Sequence, residues 1–306
     1  MQKTFNPIQD AQIIRDSLIK PPKMQVLIDI ITHRSNSQRQ EILQSYYNQF
    51  QLNIIDEFNK NLSGNLKEAI IALFIPPINY DCYLIKKATE GLGTDEDALI
   101  EIIASRDNER INQIKQKYQE LYHKDVTEVV KSDTSGHLQK ILIALLQGAR
   151  PCNIIPNEQT CTESAKRLYD SQNDKNMAYN SFIYIFTEKS REELALICKI
   201  YFQWFNKTLL EVVENYFNGN GRRVLKAIIY SLLSPSEYFA YRINKSLKSF
   251  MIKEDIITRI LVARDEIDLD RIKRYYKELY GISLYDHIKD KTSGDYRYLL
   301  LSLIGN

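Results

Sequence analysis

The sequence predicts an all-α chain built from four homologous repeats of about 70 residues, each folding into about five short helices. Three observations predict it. First, the 306 residues repeat in fixed columns. Counted from Arg34, Arg106, Lys189 and Arg264, isoleucine stands eight residues on (Ile42, Ile114, Ile197, Ile272) and tyrosine twelve on (Tyr46, Tyr118, Tyr201, Tyr276). Glycine stands thirty on (Gly64, Gly136, Gly219, Gly294). Second, the recurring apolar and aromatic offsets of 8, 12, 16 and 20 are multiples of four, which lines one face of a helix. Third, only 10 glycines and 8 prolines interrupt the chain, and no convincing alternating pattern marks a strand. The anchors stand 72, 83 and 75 residues apart, a unit longer than the roughly 20–50 residues of common solenoids.

The elements follow in order. Residues 1–9 form a short amino-terminal extension, too short for a long regulatory tail or for a helix that recruits a second copy; its Thr4 is open to modification. Repeat one covers 10–75, and its Ser35-Asn-Ser-Gln38 reads as a capping box. Repeat two covers 80–148, with Asp107 as an N-cap and Thr94-Asp-Glu-Asp97 opening a helix with acidic residues in its first turn, where the macrodipole favours them. The second interval is longest because of residues 149–157, which carry two prolines, so 149–161 is assigned as a linker between two pairs of repeats. Repeat three covers 162–233 with a capping box at Ser190-Arg-Glu-Glu193, and repeat four covers 237–306 with Asp265 at the N-cap position of Asp107.

Composition bounds the function. Hydrophobic residues make up 44% and charged residues 26%, enough to bury a core. Lys and Arg (41) nearly balance Asp and Glu (39), so a net charge of +2 argues against a bulk nucleic-acid binder. Cys82, Cys152, Cys161 and Cys198 contain no Cys-x-x-Cys pair, which suits free thiols in a reducing cytoplasm and no zinc site. The amino terminus has no apolar signal core, and no apolar run nears the roughly 20 residues of a membrane span, so a membrane role would be peripheral. His33, His123, His137 and His287 show no metal-ligand spacing, no catalytic group stands out, and the chain is expected not to be an enzyme. Trp204 and the recurring aromatics read as core packing.

Repeat two carries the one constellation with chemistry. Gly91 and Gly93 in Thr89-Glu-Gly-Leu-Gly-Thr-Asp-Glu96 permit a tight loop, and Asp133 follows forty residues after Gly93. Calcium takes about six to eight oxygens, often backbone carbonyls with a bidentate carboxylate, and such a loop with a distant acid offers that chemistry. The motif lacks the third glycine of a dinucleotide fingerprint, the Gly-Lys of a P-loop and the ligand spacing of an EF-hand. On local residues alone, a plain helix-to-helix turn with Asp133 as a cap remains open.

The whole pattern resembles the annexin family. The resemblance rests on four all-helical repeats, each with Arg or Lys thirty residues before a Ser-Gly or Asn-Gly pair. It also rests on the run Lys86 to Arg106 with Lys131-Ser-Asp-Thr-Ser-Gly136, and on Ala263-Arg-Asp-Glu-Ile-Asp268 with Thr292-Ser-Gly-Asp-Tyr296. It covers about residues 10–306 and implies a curved helical disc that binds acidic phospholipid through calcium on its convex face. It implies a main site from the carbonyls of Thr89, Gly91 and Gly93 with the Asp133 carboxylate. It further implies a secondary site from the Thr94 carbonyl and Glu96 carboxylate, and Leu92 at the bilayer interface; a partly packed loop leucine is the ordinary alternative.

The other repeats depart from this pattern. Gly93 is replaced by Pro21, Asn176 and Met251, Gly91 by Ile19, Asp174 and Ser249, and Asp133 by Asn61, Tyr216 and Lys291. An ammonium about 4 Å from a dication is repelled by about 8 kcal/mol at an effective dielectric near 20. One main calcium site is therefore expected, weak without lipid, and aided by oligomerisation or other contacts. Lys20 and Lys23 in repeat one, and Lys248, Lys253 and Lys291 in repeat four, offer such contacts with anionic headgroups, against the plainer reading of a solvated charged face.

Asp81, Glu101, Arg106 and Arg264 match charged positions of the annexin central channel, with Leu84 in place of a common acid. Structural ion pairing is the favoured role, since buried charges must be paired in any case. The expected partner is an anionic phospholipid surface. The alternative is a calcium-independent scaffold attached to cytoskeleton or another protein, with calcium binding vestigial.

Overall fold

A computed structural model describes residues 5–305; residues 1–4 and Asn306, and with them Thr4, lie outside the described residues. Repeat one holds α1 (Pro7–Ser17), α2 (Met24–Thr32), α3 (Asn36–Phe50), α4 (Ile54–Asn61) and α5 (Gly64–Leu73). Repeat two holds α6 (Pro77–Thr89), α7 (Glu96–Ser105), α8 (Asn108–Tyr122), α9 (Val126–Asp133) and α10 (Gly136–Leu146). Repeat three holds α11 (Glu158–Asp170), a 3₁₀ turn (Ser171–Asn173), α12 (Lys175–Glu188), α13 (Arg191–Phe205), α14 (Leu209–Tyr216) and α15 (Gly219–Leu233). Repeat four holds α16 (Pro235–Leu247), α17 (Glu254–Arg264), α18 (Leu269–Tyr280), α19 (Leu284–Lys291) and α20 (Gly294–Ile304). Each repeat thus has five α-helices, and the described residues contain no strand. No helix among them is long and apolar enough to cross a membrane.

The columns explain the packing. Ile42, Ile114, Ile197 and Ile272 are fully buried, and Tyr46, Tyr118, Tyr201 and Tyr276 are buried beside them. Each of these tyrosines meets the aromatic residue four positions on, with ring centroids 4.9, 4.8, 4.8 and 5.0 Å apart for Tyr46–Phe50, Tyr118–Tyr122, Tyr201–Phe205 and Tyr276–Tyr280. An i, i+4 pair on one helix face places the rings in this edge-on or tilted contact. Glycine thirty residues after each anchor opens the last helix of its repeat with φ between 54° and 64°, a left-handed conformation that other residues rarely adopt.

Caps set the helix starts. The capping boxes at Ser35 and Ser190 form, and Asp107 accepts from the Arg110 N–H. Asp265 does not cap α18: the chain continues through a turn to Asp268, and Asp265 instead lies 3.5 Å from the buried Arg39 guanidinium. The anchors are all ion-paired. Arg34 Nε donates to Asp10 at 2.6 Å, Arg106 Nη2 to Asp81 at 2.8 Å, Lys189 to Glu193 at 3.0 Å and Arg264 Nε to Asp268 at 2.7 Å.

The chain forms two compact units, residues 81–238 and residues 1–80 with 239–306. Repeat two is therefore grouped with repeat three, and repeat one with repeat four, so the segment assigned as a linker does not separate the compact units. Residues 158–161 belong to α11, and 7–9 to α1 rather than to an extension. Within the first unit, Arg150 donates from Nη1 to the Lys189 carbonyl at 2.6 Å and from Nη2 to the Phe186 carbonyl at 2.5 Å. It satisfies carbonyls at the end of α12, and the proline-bearing segment is held against repeat three. Trp204, expected to be packing, is 55% exposed.

Candidate functional site

The loop joining α6 to α7 builds the site. Helix α6 ends at Thr89, whose hydroxyl turns back to the Ile85 and Lys86 carbonyls at 3.0 and 3.1 Å. The Asp95 N–H donates to the Ala88 carbonyl at 2.9 Å and closes the loop. Between these points Gly91 and Gly93 take φ of 99° and 90°, which a Cβ would strain. Asp95 caps α7 by accepting from the Ala98 N–H at 3.0 Å. Among the described residues, no backbone N–H outside the helices donates to the carbonyls of Thr89, Gly91 or Gly93.

Asp133 is the last residue of α9 and is half-buried; Thr134 and Ser135 hold the cap positions between α9 and α10, so Asp133 is not a cap. The Thr94 hydroxyl donates to the Asp133 carbonyl at 3.0 Å and ties the loop to this helix end across 39 residues of chain. Gln139 donates to the Lys131 and Thr134 carbonyls at 2.7 and 2.6 Å and fixes the corner around Asp133. The described residues contain no cluster of three or more His, Cys, Asp or Glu side chains able to hold a metal. The donor set expected in repeat two is of another kind, three carbonyls and one carboxylate, all hard oxygens. Those are the ligands calcium prefers, and the remaining positions would suit water or a phosphate. Leu92, at the loop tip, is fully exposed at 110%.

The two donors expected for a secondary site, the Thr94 carbonyl and the Glu96 carboxylate, are already engaged. The Glu96 N–H donates to the Thr94 carbonyl at 3.0 Å. The Glu96 carboxylate receives Arg223 Nη2 at 2.9 Å and the Asn220 side-chain amide, both from α15, while Arg223 Nη1 reaches Asp97 at 2.7 Å. A guanidinium on that carboxylate opposes a cation beside it. Nothing local signals Arg223, since it lies 127 residues from Glu96.

Charged residues near the core of this unit are paired. Asp81 is buried and receives Arg106 Nη2 at 2.8 Å, Arg106 Nε at 3.2 Å and Arg110 Nε at 2.7 Å. Burial alone would raise its pKa, but the two guanidiniums more than offset this and hold it below the usual carboxylate range. Burial likewise opposes the charge on Arg106, and Asp81 followed by Glu101 overcomes it and raises the Arg106 pKa. Leu84 is buried. Arg264 belongs to the other unit, where its guanidinium also lies 4.6 Å from the Phe239 ring.

The matching loop of repeat four, between α16 and α17, has a different character. Ser249, Met251 and Lys291 stand where repeat two has Gly91, Gly93 and Asp133. Phe250 is 105% exposed and Met251 77% exposed. Phe250 precedes Arg264 by the same fourteen residues that separate Leu92 from Arg106, a signal that the column count itself carries.

The annexin family model matches residues 9–73, 80–145, 163–228 and 238–303. Human annexin A7 is 35% identical over 303 residues, spanning 98% of this chain and 62% of that protein, so the chain covers about three fifths of its relative's length. The structure of chicken annexin V superposes with a TM-score of 0.95 at 29% identity, covering 99% of this chain and 97% of that one. A structure described as calcium-bound annexin (Sm)1 gives a TM-score of 0.84 at 27% identity, covering 100% and 92% of the two chains. Four matched repeats spanning most of the chain show that it belongs to the annexin family of calcium-dependent phospholipid-binding proteins.

Proposed function

We propose that this annexin attaches peripherally to acidic phospholipid membranes at the cytoplasmic face through one main calcium site in repeat two. The observation that carries this reading is the α6–α7 loop. It combines two positive-φ glycines, three carbonyls with no backbone donor from outside the helices, and a hydroxyl tether to the helix end bearing Asp133. The carbonyls of Thr89, Gly91 and Gly93 and the Asp133 carboxylate would hold the ion. Bound calcium supplies a net positive centre with open positions that a lipid phosphate can fill. One carboxylate leaves the ion weakly held in the absence of lipid, so membrane and calcium bind in mutual support. Leu92 would enter the interface beside the ion. The reading is of a binding protein, with no catalytic step and no nucleic-acid partner.

The engaged Glu96 and the altered loops of the other repeats favour a second reading, a calcium-independent scaffold for a protein partner. Cosedimentation with phosphatidylserine vesicles separates the two. The calcium reading expects a calcium-dependent rise in pelleting that chelator reverses. The scaffold reading expects none, and pelleting with filaments or another protein instead.

A further inference from the structure

Repeat four reuses the loop architecture of repeat two with the charges reversed. The Lys253 N–H donates to the Ser246 carbonyl at 3.4 Å, as the Asp95 N–H does to the Ala88 carbonyl at 2.9 Å, across the same number of residues. Lys291 ends the eight-residue helix α19, as Asp133 ends the eight-residue helix α9. The carboxylate that would gather a cation in repeat two is thus replaced by a side chain that is itself the cation.

Two of the lysines, Lys248 and Lys291, border one buried cluster from two elements. His287 is buried one turn before Lys291, and its Nδ1 lies 2.6 Å from the Tyr276 hydroxyl, which also donates to Asn244 Oδ1 at 3.3 Å. This buried chain fixes α19 against α18 and α16. Burial, then Lys291 and Lys248, push the His287 pKa down. Lys248 lies just past α16, with Nζ 5.7 Å from the Tyr280 ring centroid, and Lys253 precedes α17. Asp290 lies 3.1 Å from Lys291, but both side chains are largely exposed, so this pair holds Lys291 only weakly.

Between Lys248 and Lys253 stand Phe250 and Met251, two adjacent large apolar side chains that are both exposed. Two exposed apolar residues flanked by ammoniums match the boundary of an acidic bilayer, where phosphates lie above acyl chains. We propose that the α16–α17 loop is a calcium-independent contact for an acidic phospholipid bilayer. Phe250 and Met251 enter the headgroup boundary, while Lys248, Lys253 and Lys291 meet the phosphates. The contact shares with the repeat-two reading only its ligand, the acidic bilayer, and needs neither calcium nor Asp133.

The test is cosedimentation of the full chain with phosphatidylserine–phosphatidylcholine vesicles in chelator. Vesicles of phosphatidylcholine alone and a tube without vesicles serve as controls. The wild type is expected to pellet with the acidic vesicles only. The double variant F250S/M251S should bind at least about tenfold more weakly, since these apolar side chains no longer leave water. Changing Lys248, Lys253 and Lys291 to Gln should weaken binding by about fivefold per lysine, and added salt should do the same for the wild type. Phe250 and Met251 lie outside the core, so circular dichroism should show both folds intact. No pelleting in chelator, equal pelleting on both vesicle types, or an unaffected F250S/M251S variant overturns the proposal. So does vesicle-free pelleting that F250S/M251S abolishes, which would assign the loop to a second copy of the chain. Failure in chelator with calcium-dependent binding intact sinks this contact alone. Chelator binding with no added effect of calcium sinks the repeat-two reading alone.

Discussion

Asp133→Ala should remove the calcium-dependent part of vesicle binding. Asp133 is the only carboxylate of the proposed main site, and the remaining donors are neutral carbonyls. Ligand charge count tunes calcium affinity over several orders of magnitude, so losing the single charge should weaken calcium-dependent binding by about 100-fold or more. That corresponds to about 3 kcal/mol. Asp133→Asn, which keeps the shape and loses the charge, should behave almost alike. The side chain is half-buried at a helix end, so the melting temperature without calcium should barely move. Calcium titrations of vesicle binding, compared for wild type and both variants, check this; wild-type behaviour of Asp133→Ala would show that the ion binds elsewhere.

The second large effect concerns the fold. Asp81→Ala removes a carboxylate that accepts from Arg106 at 2.8 and 3.2 Å and from Arg110 at 2.7 Å. Arg106 is nearly buried and would be left without that partner. Breaking a buried pair on one side costs about 3–5 kcal/mol, which here lowers the melting temperature by about 10 °C. Because the folded pKa of Asp81 is depressed, its stabilisation is fully present above the ordinary carboxylate pKa near 4 and is lost as pH falls through the lower folded value. The gap between wild type and variant should therefore be wide at neutral pH and narrow in acid. Thermal melts across pH check both points, and a neutral-pH loss below about 1 kcal/mol would remove Asp81 from the structural role given to it.

The helices were legible because the columns at 8, 12, 16 and 20 report one buried face. The tyrosine–aromatic pair recurs at nearly constant spacing in all four repeats. The grouping of repeats was not legible. Two prolines in residues 149–157 look like a linker, yet Arg150 binds the end of α12, a contact between residues 36 and 39 apart that composition does not announce. Asp265 misled for a local reason: Ile267 and Asp268 extend the turn, so α18 starts later than the column implies. The shape of the α6–α7 loop could be read because glycine spacing dictates backbone conformation, and Gly91 and Gly93 take positive φ. The state of Glu96 could not, because its partners Arg223 and Asn220 come from another repeat. Phe250 could have been found by carrying the Leu92 offset into repeat four.

The central claim is that one main calcium site, in repeat two, serves the whole chain. A crystal structure grown with calcium tests it most directly. The account predicts an ion bound by the carbonyls of Thr89, Gly91 and Gly93 and by Asp133, and none beside Lys291. An empty α6–α7 loop, or an ion seated in the α16–α17 loop, would contradict it.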